Sequence, residues 1–162
     1  TDAPFDKIAS IEMVEALGEN YMDVFFGACA RLLKPDGLLA IQMITCPDSR
    51  YDILKGNVDF IQKHIFPGTL LPSLGRVNQA FTRTSDVCLY ELSDLGLHYA
   101  KTLAMWFDAF CHQHEAILAL GFNEPFVRKW AYYLKYCESA FRMRHITVVQ
   151  ALYSRPNNLM LS

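Results

Sequence analysis

No run of about 20 apolar residues occurs in this sequence, so nothing in it reads as a membrane-crossing helix. The longest stretch without Lys, Arg, Asp or Glu lies between Lys63 and Arg76 and is interrupted by Pro67 and Pro72. No basic leader with an apolar core and a small-residue cleavage site is visible, and the first residue is Thr1 rather than Met, so upstream residues are expected. There is no C-x-x-C, no H-E-x-x-H, no internal repeat, and no Pro-, Gly- or Ser-rich linker to divide the chain. The one dense set of ligand-type residues is Cys111-His112-Gln113-His114-Glu115. On a helix, His112 and His114 point to different sides, so no metal site is expected. The cysteines Cys29, Cys46, Cys88, Cys111 and Cys137 are odd in number and widely spaced, unlike a secreted disulfide framework, and a reducing cytoplasm is expected.

What is present is a globular composition: 162 residues, 52% apolar, 13% aromatic and 20% charged, enough for one core and too apolar for a disordered chain. The net charge is −2, but residues 1–127 hold 9 basic against 16 acidic residues and residues 128–162 hold 6 against 1. That basic end suits a solvated helix face or an anionic headgroup surface. No basic-aromatic motif accompanies it, so a nucleic-acid partner is not expected.

Phe5 to Ile11 reads as a buried strand. From a possible N-cap at Asn20, Met22, Phe25, Phe26, Cys29, Leu32 and Leu33 recur at helical spacing, and Pro35-Asp36-Gly37 is expected to stop that helix and turn the chain. Leu38 to Ile44 reads as a second strand, which completes a βαβ unit. A short helix at Asp59–Ile65, a helix capped by Ser73 and a strand at Val87–Leu92 follow. Two long helices carry the stripes Tyr99, Leu103, Trp106, Phe107, Phe110, Ile117, Leu118 and Phe126, Trp130, Tyr133, Leu134, Cys137, Phe141, both read as core. Ile146 to Tyr153 closes the fold as a strand, and a loose tail begins at Pro156-Asn157-Asn158.

Strands alternating with helices define an α/β sheet, whose ligands bind beyond the carboxyl ends of the strands. That rule selects Glu12 and Glu15 after the first strand, Gln42 to Thr45 at the end of the second, and His98 with Tyr99 at the start of the first long helix. Each also has a plain structural role open to it. Glu15 can be a helix-start carboxylate, Gln42 a satisfied polar group on a strand, and Tyr99 part of the helix stripe.

Six segments carry a resemblance over almost the whole chain: F-D-K-I-A-S-I-E-M-V-E-A-L-G at Phe5–Gly18, L-L-K-P-D-G-L-L-A-I at Leu32–Ile41, I-F-P-G-T-L-L-P-S at Ile65–Ser73, H-Y-A-K-T-L-A-M-W at His98–Trp106, Y-Y-L-K-Y-C-E-S-A-F-R at Tyr132–Arg142 and V-V-Q-A-L-Y-S-R at Val148–Arg155. In this order they resemble the cyclopropane-fatty-acyl-phospholipid synthases, with the mycolic acid cyclopropane synthases. These are class I S-adenosylmethionine methyltransferases.

The resemblance implies the C-terminal part of a class I, Rossmann-like α/β sheet, with inserted helices forming an acyl pocket and a partial domain over residues 1–156. The implied reaction is methylene transfer to the cis double bond of an unsaturated phospholipid acyl chain. A bound bicarbonate serves as base, held by Glu15, Gln42, the backbone of Ile44 and Tyr99. Cys137 matches a cysteine sometimes given an active-site role, although its place on an apolar stripe also suits packing. Ile11 is the one cofactor contact implied within the chain, because the glycine-rich turn and the acidic residue for the ribose have no counterpart here.

Two positions depart from the family pattern. Ala16 and Gln42 stand where histidines are usual, a form similar to the plant-type branch, and glutamine cannot titrate. By the same resemblance Phe5–Ile11 is the fourth of seven strands, so the chain is expected to be an inactive fragment with an exposed, self-pairing edge. The implied location is the cytoplasm, with peripheral membrane contact. The alternatives are a small-molecule N-methyltransferase of the coclaurine type and a non-catalytic lipid-binding module.

Overall fold

The structure, a computed structural model, describes residues 3–156 and 158–161; Thr1, Asp2, and Asn157 and Ser162 of the expected tail lie outside the described residues. The chain forms two compact units, residues 1–94 with 148–162, and residues 95–147.

The first unit is built on a sheet. β1 (Phe5–Ile11) leads through a 3-10 turn at Val14–Ala16 and another at Glu19–Tyr21 into α1 (Met22–Leu32) and β2 (Leu33–Thr45). α2 (Asp48–Lys55), α3 (Phe60–His64), α4 (Leu74–Thr84), β3 (Cys88–Asp94) and, after the second unit, β4 (Thr147–Ser154) complete it. The sheet order is β1-β2-β4-β3, with β1 parallel to β2 and β3 antiparallel to β4. The expected βαβ unit is therefore present, and β1 lies at a sheet edge with Phe5 and Ile11 exposed.

Period-two alternation decides which face of β2 is buried. Leu39, Ile41 and Met43 are at most 1% exposed, whereas Ala40 between them is exposed and Gln42 half-buried. The buried face packs under α1 and α4, where Phe26, Phe81 and Tyr153 stack in succession at 4.8 and 4.6 Å between ring centroids. Each such buried ring contributes about 2–3 kcal/mol by area removed from water. Arg76 of α4 ties this layer to the turn before α1, reaching Glu19 at 2.9 Å and Asp23 at 2.8 Å, and Tyr51 of α2 donates to the same Glu19 carboxylate.

Two local expectations are corrected, and one helix arises where none was expected. Asn20 does not cap α1: the segment Glu19–Tyr21 is a 3-10 turn and Tyr21 precedes the helix without a side-chain cap, because Glu19 and Asp23 are drawn onto Arg76. Pro35-Asp36-Gly37 does not form a turn between helix and strand; it runs inside β2, since Leu33 is already extended and the residue before a proline is held out of the helical region. The stretch Asp48–Lys55, with no apolar stripe to announce it, is a helix anchored by Tyr51 alone.

The second unit is helical: α5 (Gly96–His112), α6 (His114–Ala119) and α7 (Glu124–Arg142). Asn123 accepts from the Phe126 N–H at 3.0 Å and Pro125 occupies the first turn, so α7 begins where sequence expects it. Leu103, Val127, Leu134, Cys137 and Phe141 are buried, but Trp106 is half exposed, at the border of the stripe rather than in the core. Among these apolar residues Glu138 is also buried, braced by Lys135 and Arg142, each at 2.8 Å.

Candidate active site

Glu15 sits in the 3-10 turn directly after β1, anchored by the fully buried Val14. Its residue is only 9% exposed. The N–H of Ile44, near the end of β2, donates to Glu15 Oε1, and the N–H of Leu70 donates to the Glu15 carbonyl at 2.8 Å. The second carboxyl oxygen, Oε2, is buried without a hydrogen-bond partner. Burial raises the Glu15 pKa above the ordinary carboxylate value; the Ile44 N–H opposes that rise and the nearby Glu12 charge adds to it. Glu15 is thus more than a helix-start carboxylate, since it is bonded to the neighbouring strand.

The segment Ile65–Ser73 serves as a clamp. Leu70 is buried and supplies the N–H to Glu15, while Pro72 C=O accepts from Cys46 N–H at 3.0 Å, just beyond β2. The Asp59–Gln62 capping box starts α3, and Gln62 Nε2 donates to Thr69 C=O at 2.7 Å, which steadies the loop. The motif is recognisable in sequence, but its task of fixing Glu15 is not.

Gln42 pairs with Ile11 across β1 and β2. Its Nε2 donates to Glu12 Oε1 at 3.0 Å, and its Oε1 accepts from Gln150 Nε2 of β4 at 2.8 Å. Ile11, 59% exposed, lines with Gln42, Gln150, Glu91 and Ser93 a cavity of about 330 Å³ on the sheet. Glu15, Gln42 and Ile44 are therefore gathered at the carboxyl ends of the two parallel strands. The Ile44 N–H is engaged by Glu15, which ties the two into one group.

Tyr99 and Cys137 belong to the second unit. Tyr99 lies in the first turns of α5, its ring against Phe141 at 4.9 Å and Trp106 at 6.0 Å. Cys137 is buried on α7. Among the described residues no cluster of His, Cys, Asp or Glu could hold a metal ion. The strand-end rule selects Glu12 but not its partner, and Gln150, which donates to Gln42 from β4, has no signal in the sequence.

A parallel βαβ unit joined to an antiparallel closing pair, with polar groups at the strand ends, is part of the class I S-adenosylmethionine methyltransferase fold. Mycolic acid cyclopropane synthase CmaA1, solved with SAH and CTAB, superposes with a TM-score of 0.83 at 30% identity, covering 96% of this chain and 57% of that one. The chain belongs to the mycolic acid cyclopropane synthetase family, whose model matches residues 1–151. Tuberculostearic acid methyltransferase UfaA1 of Mycobacterium tuberculosis is 36% identical over 149 residues, 92% of this chain and 35% of that protein. Cyclopropane-fatty-acyl-phospholipid synthase of Escherichia coli K12 is 34% identical over 152 residues, 93% of this chain and 38% of that one. The chain thus spans little more than a third of the length of these two curated relatives.

Proposed function

We propose that this chain is the later part of a longer enzyme that transfers a methylene group from S-adenosylmethionine to the cis double bond of an unsaturated phospholipid acyl chain, giving a cyclopropane fatty acid. The observation that carries the reading is Glu15: buried, fixed through one oxygen to the Ile44 N–H, and with the other oxygen lacking a partner. Bicarbonate carries one O–H, which the unpartnered Oε2 can accept, while the Gln42 amide can donate to one of its other oxygens. Burial disfavours the charged form of Glu15, the direction that eases the approach of an anion. On the family resemblance we assign Glu15, Gln42, Ile44 and Tyr99 to holding bicarbonate, and Cys137 to packing on the apolar stripe of α7. When bound, S-adenosylmethionine supplies the transferred carbon and bicarbonate a base.

Of this chain we assign only Ile11 to the cofactor; the glycine turn would come from preceding residues. Gln42 contributes a fixed N–H donor and Glu15 the unpartnered Oε2. The net +5 of residues 128–162 supports a peripheral contact with anionic headgroups at the cytoplasmic face. Among the described residues no helix is long and apolar enough to cross a membrane.

The test is methylene transfer by the full-length protein from methyl-labelled S-adenosylmethionine to monounsaturated phospholipid, read by mass spectrometry of the fatty acids. Glu15→Gln is expected to lower kcat about 10²-fold or more with little change in cofactor binding, and Tyr99→Phe to lower it less. Label on an amine rather than on an acyl carbon, or no label in either, overturns the reading.

A further inference from the structure

We infer that Glu12 is a positioning residue that sets the polarity of the Gln42 amide, with Gln150 as its counterpart on the opposite side. This rests on the assignment of Gln42 to the anion site. A carboxylate accepts hydrogen bonds and an amide has one accepting and one donating end. With Glu12 Oε1 at 3.0 Å on one side, Gln42 must turn its nitrogen there. Its oxygen then faces β4, where Gln150 Nε2 donates at 2.8 Å. The order carboxylate, amide, amide admits this one polarity. It leaves Gln42 with a single uncommitted N–H, a donor that cannot lose its proton near neutral pH.

The backbone repeats the side-chain bond. Glu12 N–H donates to Gln42 C=O at 2.9 Å, so Glu12 holds Gln42 at both its main chain and its side chain. Glu12 does this with a φ of 52°, in the left-handed region that glycine adopts freely and glutamate does not. A side chain kept at a strained position, bonded to the residue it faces, is what a positioning role requires. Gln42 and Gln150 both line the 330 Å³ cavity, so the oriented amide borders a space that a small ligand can enter.

The test uses selective 15N-glutamine labelling of the full-length protein, with the Gln42 side-chain amide pair assigned by its loss in Gln42→Ala. Glu12→Gly removes the carboxylate and relieves the backbone, so its thermal midpoint should not fall. Its Gln42 amide protons should nevertheless shift and exchange with solvent about tenfold faster, as expected for a lost hydrogen bond. Glu12→Gln, which keeps an accepting oxygen in place, should restore most of the protection. Gln150→Leu should perturb the same pair from the other side. Unchanged Gln42 resonances and exchange in both Glu12→Gly and Gln150→Leu overturn the inference.

In the active enzyme, Glu12→Gly should raise the bicarbonate concentration for half-maximal rate several-fold more than it lowers kcat, with rescue by Glu12→Gln. Equal loss of both, without rescue, marks a merely structural residue and overturns the inference. A wild-type protein with no methylene transfer refutes the proposed reaction instead, and the amide readout judges the relay by itself.

Discussion

Glu15 shows how one side chain can be legible in sequence as a position and illegible as a chemical state. Its place after a strand is what singles it out. Its raised pKa comes from burial in the folded chain, where its partners are Ile44 and Leu70, 29 and 55 residues away in sequence. A folded-state pKa above the unfolded value means that the folded protein binds the Glu15 proton more tightly. The associated stability is complete below the unfolded value, near 4.5, and is lost as pH rises through the folded value. Replacing Glu15 with Gln should therefore raise the thermal midpoint at neutral pH relative to the wild type, with the difference shrinking as pH falls toward about 4.5. Thermal melts from pH 4 to 8 would check this; a difference that widens toward acid would contradict it.

Single elements divide by how their residues declare themselves. Ser73 announces α4 through local chemistry and that start stands as read, while α7 begins at the Asn123 cap just before Pro125. The starts of α1 and α2 depend on partners 20 or more residues away, Arg76 for Glu19 and Asp23, and Glu19 for Tyr51. No window of sequence contains that information. Burial alone would raise the Glu19 and Asp23 carboxyls, but the hydrogen bonds and charge of Arg76, with Tyr51 and Arg83 assisting, hold both below their ordinary values. Arg76→Met should cost about 2 kcal/mol in chemical denaturation, less than for a fully buried pair because both carboxylates are a third exposed. The loss should shrink as pH falls through the carboxylate range, where the paired carboxylates take up protons. Gly75 is the other contact of this kind: its N–H donates to Asp48 at 2.8 Å, and a Cβ there would lie 2.6 Å from that same oxygen. Gly75→Ala should displace the exposed Asp48 side chain and lose its hydrogen bond, a net cost of no more than about 1 kcal/mol in the same denaturation experiment because alanine favours the helix.

On the scale of the whole molecule, the βαβ order and the long helices were readable from periodicity, because strand and helix faces differ in period, whereas the edge position of β1 was implied only by the family resemblance. The division into two units was not, since no flexible linker marks it. The second unit enters and leaves through one antiparallel pair: Asp94 of β3 is opposite Val149 of β4, so the two ends of residues 95–147 lie side by side. The helices are thus attached like a cassette on a hairpin, replaceable without breaking a strand. Substituting a short type I′ turn for residues 95–147 should leave the sheet folded, with the Phe26–Phe81–Tyr153 stack and the Gln42 amide signals intact, as near-ultraviolet dichroism and 15N spectra would report. Tyr99 and Cys137 would leave with it. An enzyme built this way can change what it accepts by exchanging a hairpin loop, while the strand ends that carry Glu15 and Gln42 stay under separate selection.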